Sequence, residues 1–189
     1  AVPHSLFVFY NKSDFWLEPN IHDLFTHAFH SRIVEKIIMA NISYLDDPLT
    51  TEELYEKLCQ PVRNWFRDKF PDFTKPQKLI IPSIMDKDHL LLCSPTGSGK
   101  TLTAFLSIID ELVRHALAGT LEERVYCLYI SPIKALANDI QKNLIGPLEE
   151  IEKKYLPDRA QGKIRVGLRT GDTPQSERQK MLRKPPHIL

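Results

Sequence analysis

The amino-acid sequence predicts an α/β fold in which helices cover a parallel sheet, preceded by a mostly helical N-terminal segment. Three observations predict this class. From residue 90 onwards, short apolar runs that suit buried strands alternate with longer runs of helical length. Turns rich in glycine, serine, threonine or proline follow these strands. Upstream of residue 90, apolar residues recur mainly at three- and four-residue steps, which is the period of a helix.

Predicted strands and helices alternate along the second half of the chain. Strands are predicted over residues 90–93, 125–130, 164–168 and 187–189. Helices are predicted after the first three strands, over residues 100–117, 133–155 and 175–183. Pro147 is expected to kink or split the second of these helices, because proline lacks the N–H that a helix interior needs. Strands connected through helices in this way are typical of a parallel sheet.

The first part of the chain is predicted to be mostly helical. Helices are expected over 21–39, from Thr50 or Thr51, from Pro61 to about Phe70, and from Pro76 to Met85. Periodicity does not decide the structure of residues 1–20. We divide the chain into an N-terminal segment (1–58) without an assigned role and a sheet-bearing domain (59–189).

Charge is distributed unevenly, although the formal net charge of the whole chain is only +1. Residues 1–60 carry 4 Lys and Arg against 9 Asp and Glu, whereas residues 61–158 carry 13 of each sign. Residues 159–189 carry 8 basic residues against two acidic ones, a net charge of +6. A polyanion is therefore expected to bind the last part of the chain.

The three cysteines, at positions 59, 93 and 127, show neither metal-ligand spacing nor a disulfide framework. A reducing, cytoplasmic location is expected. No membrane partner is expected, because no apolar run reaches the length of a bilayer span and the start lacks the basic region of a signal peptide. His22, Asp23, His27 and His30 fall at helical spacings, which permits a metal site, but a polar helix face is the commoner reason for such a pattern.

Residues 94–101, with the sequence SPTGSGKT, form the most informative segment of the chain. A glycine-rich turn between a strand and a helix lets backbone N–H groups surround phosphate oxygens. The spacing matches a Walker A loop, with Ser94 where the general pattern has glycine. Lys100 is expected to reach the β- and γ-phosphates of ATP, and the Thr101 hydroxyl to ligate Mg²⁺. The loop residues expected to hold the nucleotide are Thr96, Gly97, Ser98, Gly99, Lys100 and Thr101.

Gln77 lies upstream of this loop, in the sequence Phe73-Thr74-Lys75-Pro76-Gln77. A glutamine amide both donates and accepts, so it can pair with the N6 and N7 edge of adenine. An exposed glutamine in a first helical turn is the ordinary alternative. Trp65, Phe66 and Phe70 are expected mostly in the core, and one of them is a candidate to flank the base.

Two later strand ends offer further anion-binding loops. Ser131 and Lys134 stand at the helix start after the second strand, and Arg169, Thr170 and Asp172 follow the third. Helix N-termini expose N–H groups that suit phosphate, and ligands collect at the carboxyl ends of parallel strands. Taken alone, each loop is better explained by a plain helix cap and a solvated charge than by a phosphate site. Three such loops in succession favour phosphate binding.

The motifs together resemble those of superfamily 2 nucleic-acid helicases. Gln77, SPTGSGKT, SPIKALAND and RTGDTPQSER are similar to the Q-motif, motif I, motif Ia and the Thr-Gly-Asp motif of that superfamily. The residues of these motifs are most similar to those of the large helicase-related (Lhr-type) proteins, near the Ski2-like group. The resemblance covers roughly residues 59–189 and implies the first part of a RecA-like P-loop motor domain, with a three-layer fold around a parallel sheet.

The resemblance implies an ATP-driven translocase that separates strands of DNA or of RNA–DNA hybrids. It places Gln77 on adenine, and it places Ser131, Lys134, Arg169, Thr170 and Asp172 along the backbone of the tracked strand. It also implies a partner domain, the rest of the motor. The family's acidic Asp-Glu-x-His-type motif is absent before Leu189, so weak ATP binding without useful hydrolysis is expected from these residues alone.

Two other functions fit parts of the pattern. A non-catalytic nucleic-acid-binding module could retain the phosphate loop as a relic, and the absent acidic motif keeps this alternative open. A small P-loop kinase would need an acceptor site and a lid, which the sequence does not show. Salt-dependent binding of single strands separates the kinase from the other two.

Overall fold

A computed structural model describes residues 5–9, 43–94, 97–130, 140–156 and 163–189. The described strands are β1 (Ser5–Phe9) and β2 (Leu90–Ser94). The described α-helices are α1 (Thr51–Lys57), α2 (Gln60–Lys69), α3 (Lys75–Met85), α4 (Lys100–Ala118), α5 (Gly146–Lys154) and α6 (Gln175–Arg183), and a π-helical turn (Gln141–Ile145) precedes α5. The predicted helix over 21–39 and the alternative metal site at His22 lie outside the described residues.

The helix starts predicted near residues 50, 61 and 76 are confirmed. α1 begins after a capping box, in which the Thr50 backbone N–H donates to Glu53 Oε2 at 2.8 Å and the Glu53 N–H donates to Thr50 Oγ1 at 3.2 Å. α2 has Pro61 in its first turn, where a missing N–H costs no intrahelical bond. These local signals determine the helix starts because they satisfy N–H groups that a helix itself leaves without partners.

The interruption that the sequence predicts at Pro147 is present as a π-helical turn just before the proline. The Gly146 N–H donates to the Gln141 carbonyl, a π-type bond that spans five residues, and α5 begins at Gly146. A Cβ at Gly146 would lie 3.1 Å from the Gln141 oxygen, so glycine suits this widened turn. The interruption follows from the proline, since residue 147 cannot donate the bond that would continue a regular α-helix.

Three segments of the second half form a parallel ladder. Ile188 bridges Cys127 on one side and Val166 on the other, so residues 187–189 lie between the other two segments. The Tyr129 N–H donates to Leu189 O at 2.8 Å, and the Gly167 N–H donates to Ile188 O at 2.8 Å. Residues of the three predicted strands therefore pair in parallel through isolated bridges. None of these described segments forms a regular strand, and the continuous parallel sheet stays a prediction.

Strand β2 departs from a uniformly parallel sheet. It pairs antiparallel with β1, in a register that sets Ser5 opposite Ser94 and Phe9 opposite Leu90. The sequence pattern could not predict this pairing, because the periodicity of residues 1–20 favoured no element. No described hydrogen bond joins β2 to the parallel ladder, and that connection stays a prediction.

The core surrounds α4, which is buried over most of its length. Phe105, Leu106, Ile109 and Leu112 are fully buried and pack with residues of α1, α2, α5 and the parallel ladder. In front of α3, the rings of Phe66 and Phe73 stack with centroids 4.0 Å apart. The aromatic residues upstream of Gln77 thus belong mainly to this core, as predicted for Trp65 and Phe66.

A buried carboxylate joins α4 to the start of α2. Asp110 is only 2% exposed, and its Oδ1 accepts from the Cys59 N–H at 2.6 Å. Its Oδ2 accepts from Arg114 Nε at 2.6 Å, and Arg114 also donates to the Lys57 carbonyl. Asp110 therefore fixes the junction between α1 and α2 against the central helix.

Replacing this carboxylate should destabilise the fold. We expect Asp110→Ala to lower the free energy of unfolding by about 2 kcal/mol, because it leaves a buried N–H and part of a guanidinium without a partner. Urea denaturation of the chain measures this change. Glu122→Ala, which removes an exposed partner of Arg124, is the control and should cost less than about 0.5 kcal/mol. Equal effects of the two substitutions would contradict this role of Asp110.

His187 is a buried imidazole at the centre of the parallel ladder. It is 1% exposed, and its Nδ1 accepts from the Arg165 N–H at 2.9 Å. Burial, with a smaller contribution from the Arg165 charge, lowers the pKa of His187 below its ordinary 6.5. The folded chain therefore keeps this ring neutral at a pH where the unfolded chain begins to protonate it.

This pKa shift predicts acid destabilisation in a defined window. Below the ordinary pKa of 6.5 the unfolded state binds more protons than the folded state at this residue, so the free energy of unfolding falls with pH until the lowered folded pKa is reached. Urea denaturation at about pH 7.5 and about pH 5.5 measures the loss. In His187→Gln the loss between the two pH values should be smaller than in the wild type. An identical loss in both proteins would show that other groups cause it.

Within the described ranges, none of the helices combines the length and the apolar character that crossing a bilayer requires. Those ranges also contain no group of three or more His, Cys, Asp or Glu side chains able to hold a metal ion.

Candidate functional site

The predicted phosphate loop joins β2 to α4. Gly97 and Gly99 have φ angles of 83° and 84°, in the left-handed region that glycine adopts without a steric penalty. Gly99 is the N-cap residue of α4, and its carbonyl accepts from the Thr103 N–H and from Thr103 Oγ1, both at 2.9 Å. Thr96 lies outside the described residues. The described part of the loop thus has the strand, glycine turn and helix start that phosphate binding requires.

Lys100 and Thr101 occupy the first turn of α4. Lys100 is 5% exposed and Thr101 is half-buried. Both follow directly on the left-handed Gly99, at the end of the helix where N–H groups point outward and the helix dipole favours an anion. This position suits the roles that the sequence analysis expects for the lysine and for the hydroxyl.

Gln77 lies against the phosphate loop. It is 3% exposed, and its Nε2 would be 3.2 Å from a Cβ built on Gly99. Its Oε1 accepts from the N–H of Thr74, the N-cap residue of α3, at 2.8 Å, so Gln77 completes the capping box of its own helix. The structure thus brings together two motifs that lie more than twenty residues apart, whereas the contact of Gln77 with adenine stays a prediction.

Thr74 is a site residue that the sequence analysis missed. Its Oγ1 donates to the carbonyl of Ser98 at 3.2 Å and lies 3.6 Å from the position of a Cβ on Gly99. The spacing Thr-x-x-Gln of a capping box was the available signal. That signal predicts a helix start, but it does not show that the same hydroxyl holds the loop.

The start of α3 is itself anchored by Asp72. This carboxylate accepts from the Thr51 hydroxyl, from the Phe73 N–H at 2.7 Å and from Lys78 Nζ at 2.9 Å. These bonds, with the Thr51 hydroxyl contributing most, lower the pKa of Asp72 to about 2. Asp72 therefore stays ionised under physiological conditions and links α1 to the helix that carries Thr74 and Gln77.

The loop after the third predicted strand is a compact turn. The Thr170 N–H donates to Thr173 Oγ1 at 2.7 Å, and the Thr173 N–H donates to the Thr170 carbonyl at 3.2 Å. The Asp172 N–H donates to Thr170 Oγ1 at 3.3 Å. Arg169 and Asp172 are exposed and Thr170 is half-buried. The structure gathers these three predicted residues in one turn, whereas Ser131 and Lys134 lie outside the described residues.

Two clefts separate α2 from α5 and do not include the phosphate loop. One, of about 380 Å³, is lined by Trp65, Lys69, Glu150 and neighbouring charged residues. The other, of about 320 Å³, is lined by Phe70, Leu102 and the turn before α5. Among the three upstream aromatic candidates, Trp65 and Phe66 are buried and Phe70 is half-buried. Phe70 is therefore the one that retains surface for a ligand.

Comparison with known proteins identifies the class. A model of the DEAD/DEAH box helicase family matches residues 74–189, which span Gln77, the phosphate loop and the Thr170 turn. The chain therefore belongs to the DEAD/DEAH box helicases, and the resemblance to superfamily 2 is confirmed. Membership of this family also implies the RecA-like fold.

Among individual proteins, the chain is similar to Lhr helicases. It is 48% identical over 155 residues to the ATP-dependent helicase Lhr-Core of Methanocaldococcus jannaschii, covering 80% of this chain and 18% of that protein. It is 40% identical over 149 residues to the Lhr helicase/uracil glycosylase of Escherichia coli, covering 76% of this chain and 10% of the relative.

A solved structure agrees with these relatives. The structure of Mycobacterium smegmatis helicase Lhr bound to ssDNA and AMP-PNP superimposes with a TM-score of 0.60 at 38% identity, covering 72% of this chain and 17% of that chain. The chain thus spans less than a fifth of the length of each of these three proteins.

The two left-handed glycines of the loop allow a controlled test of its contact with Gln77. Alanine at Gly97 would meet no atom within 4 Å, whereas alanine at Gly99 would press on the Gln77 amide at 3.2 Å. Both substitutions carry the same backbone penalty of about 1–2 kcal/mol. We expect Gly99→Ala to be more destabilising than Gly97→Ala by about 1 kcal/mol in urea denaturation. Equal losses would show that the Gln77 contact does not constrain the loop.

Proposed function

We propose that this chain forms part of the motor of an ATP-dependent nucleic-acid helicase or translocase. ATP would bind at the loop from Thr96 to Thr101, and the phosphate backbone of a DNA or RNA strand would bind at the strand-end turns. The single observation that supports this proposal best is the hydrogen bond from Thr74 to the Ser98 carbonyl, with the Gln77 amide lying beside Gly99. It holds a glycine loop in shape at the start of a long helix.

The nucleotide would be bound by the phosphate loop, the first turn of α4 and Gln77. N–H groups of the loop and of the first turn of α4 would surround the phosphates, and Lys100 would neutralise the charge of the β- and γ-phosphates. The Thr101 hydroxyl would be one ligand of Mg²⁺. Adenine would lie near Gln77, whose amide lies beside Gly99 of the loop. Mg²⁺ supplies charge neutralisation at the terminal phosphates when it is bound.

The strand would be bound through its backbone. Arg169 is exposed beside the compact Thr170 turn, and residues 159–189 carry a net charge of +6. Thr170 and Asp172, with Ser131 and Lys134 from the preceding strand end, would complete the contacts. Phosphate contacts carry no sequence information, which suits a motor that moves along any sequence.

Other parts of the proposal concern the longer protein. The M. smegmatis relative is a helicase bound to ssDNA and AMP-PNP, and a similar pair of ligands is proposed here. Opening and closing against a second motor domain would couple nucleotide state to movement along the strand. A cytoplasmic location and the role of Mg²⁺ belong to the same proposal.

The boundary after residue 58, between the N-terminal segment and the motor domain, is also part of the proposal. Leu54, Tyr55 and Leu58, just before this boundary, pack in the same hydrophobic core as residues that follow it.

Nucleotide binding tests the first half of the proposal. Isothermal titration of the chain with ATP and Mg²⁺ should give saturable heat, and Lys100→Ala should weaken the affinity at least about tenfold, because a charge-assisted contact to phosphate is lost. Lys153→Ala, at an exposed position of α5, is the matched control and should change the affinity by no more than about twofold. Absence of heat at millimolar ATP would refute nucleotide binding.

Strand displacement tests the second half. ATP-stimulated unwinding by the full-length protein, abolished by Lys100→Ala, would support a motor. Salt-dependent strand binding without any stimulation by ATP would instead indicate a non-catalytic binding module with a relic phosphate loop. Oligothymidylate and oligouridylate used side by side would show which backbone the protein prefers.

A further inference from the structure

Arg178 differs from the other basic residues near the C-terminus in what it contacts. Its Nε donates to the Thr173 carbonyl at 2.8 Å, and its Nη2 donates to the carbonyls of Thr170 and Gly171 at 3.1 and 3.0 Å. The guanidinium is half-buried. Arg178 thus binds three carbonyl oxygens of the compact turn, residues 170–173.

We propose that Arg178 is a positioning residue that fixes this turn for phosphate binding and does not itself contact the strand. This inference rests on the proposed function for the role of the turn. It goes further because it assigns different roles to two basic residues of segment 159–189: Arg178 shapes the site, whereas Arg169 faces the ligand. By sequence alone, Arg178 is one of the eight basic residues of segment 159–189 and is not distinguished from the others.

Electrostatics explains why a turn of this kind needs an arginine. Carbonyl oxygens carry partial negative charge and would repel a phosphate that approached them. The guanidinium pairs with three of these oxygens, so it orders them on one side of the turn and offsets their charge. Arg169 and Asp172 stay exposed on the same turn. The turn is thereby left with a fixed shape and with Arg169 available for the anion.

Arginine is required rather than any cation. Its donors project in a rigid planar fork, and here separate nitrogens bind carbonyls two and three residues apart. A lysine ammonium is a single point that cannot reproduce this spread of contacts. Lysine would therefore conserve the charge but lose the shape of the turn.

The helix that carries Arg178 supports this role. No residue of α6 is buried, so apolar packing contributes little to holding it against the turn. The side chain of Arg178 reaches back past the start of its own helix to residues 170–173, and its backbone N–H donates to Pro174 O at 3.1 Å. The same contacts therefore anchor α6 and order the turn.

Hydrogen exchange and strand binding together test the proposal. In Arg178→Gln, the N–H groups of Thr170, Asp172 and Thr173 should exchange roughly tenfold faster, because bonds to a charged donor no longer hold the turn closed. Affinity for fluorescein-labelled oligothymidylate should fall severalfold, with an unchanged dependence on salt. Arg178→Lys should behave like Arg178→Gln, although it keeps the charge.

Two further variants provide the contrast. Arg183→Gln removes the same charge from the exposed last turn of α6 and should leave exchange in the turn unchanged. Arg169→Gln, which removes a proposed phosphate contact, should lower the slope of log affinity against log salt by about 0.7–1. Thermal denaturation of each variant confirms that the fold is retained, as expected for a helix without buried residues.

The outcomes separate this inference from the function on which it rests. If Arg178→Gln lowers the salt slope as Arg169→Gln does, or if Arg178→Lys restores full affinity, Arg178 contacts phosphate directly and the proposal is overturned. Unchanged exchange in the turn also overturns it. If the wild-type chain binds neither oligothymidylate nor oligouridylate, strand binding fails while the exchange experiment still decides whether Arg178 fixes the turn.

Discussion

The contact between the start of α3 and the phosphate loop is the interaction on which the rest of the site depends. Two loop residues adopt left-handed backbone angles, which a chain keeps only where its surroundings define them. Thr74 binds the Ser98 carbonyl and Gln77 fills the space beside Gly99. The loop is therefore shaped before any ligand arrives, which reduces the entropy that binding would have to overcome.

Buried and charge-assisted hydrogen bonds connect the elements that make this contact to the rest of the fold. Asp72 joins α1 to α3, and Asp110 joins the start of α2 to α4. Both carboxylates bind backbone N–H groups, so each holds a chain segment as well as a side chain. The early helices consequently support the phosphate loop, although the loop itself lies between later elements.

The two proposed binding sites are organised by the same physical device. In each, a side chain near the start of a helix donates to backbone carbonyls of an adjacent loop. Thr74 binds the Ser98 carbonyl, and Arg178 binds carbonyls of the turn at residues 170–173. Binding the carbonyls fixes the backbone and leaves the opposite side of each loop for an anion. The shape of such a loop, and so the position of its ligand-binding groups, is fixed by residues outside the loop as well as by its own sequence.

Much of the fold followed from local patterns. The starts of α1 and α2, the bounds of α6 and the interruption at Pro147 were predictable, because caps, prolines and apolar periodicity act over a few residues. The parallel pairing of residues 125–130, 164–168 and 187–189 followed from strand and helix alternation. The antiparallel pairing of β1 with β2 did not, since the pattern of residues 1–20 carried no preference.

For this protein, the sequence by itself determined the family and located the phosphate loop, because both depend on residue type at fixed spacing. It also predicted the residues proposed here to face the ligands. Only the tertiary structure decided that Thr74 binds the loop, that Gln77 lies beside Gly99, and that Arg178 binds carbonyls. Those roles depend on contacts between segments that are distant in sequence, and the local spacing of residues carries no information about such contacts.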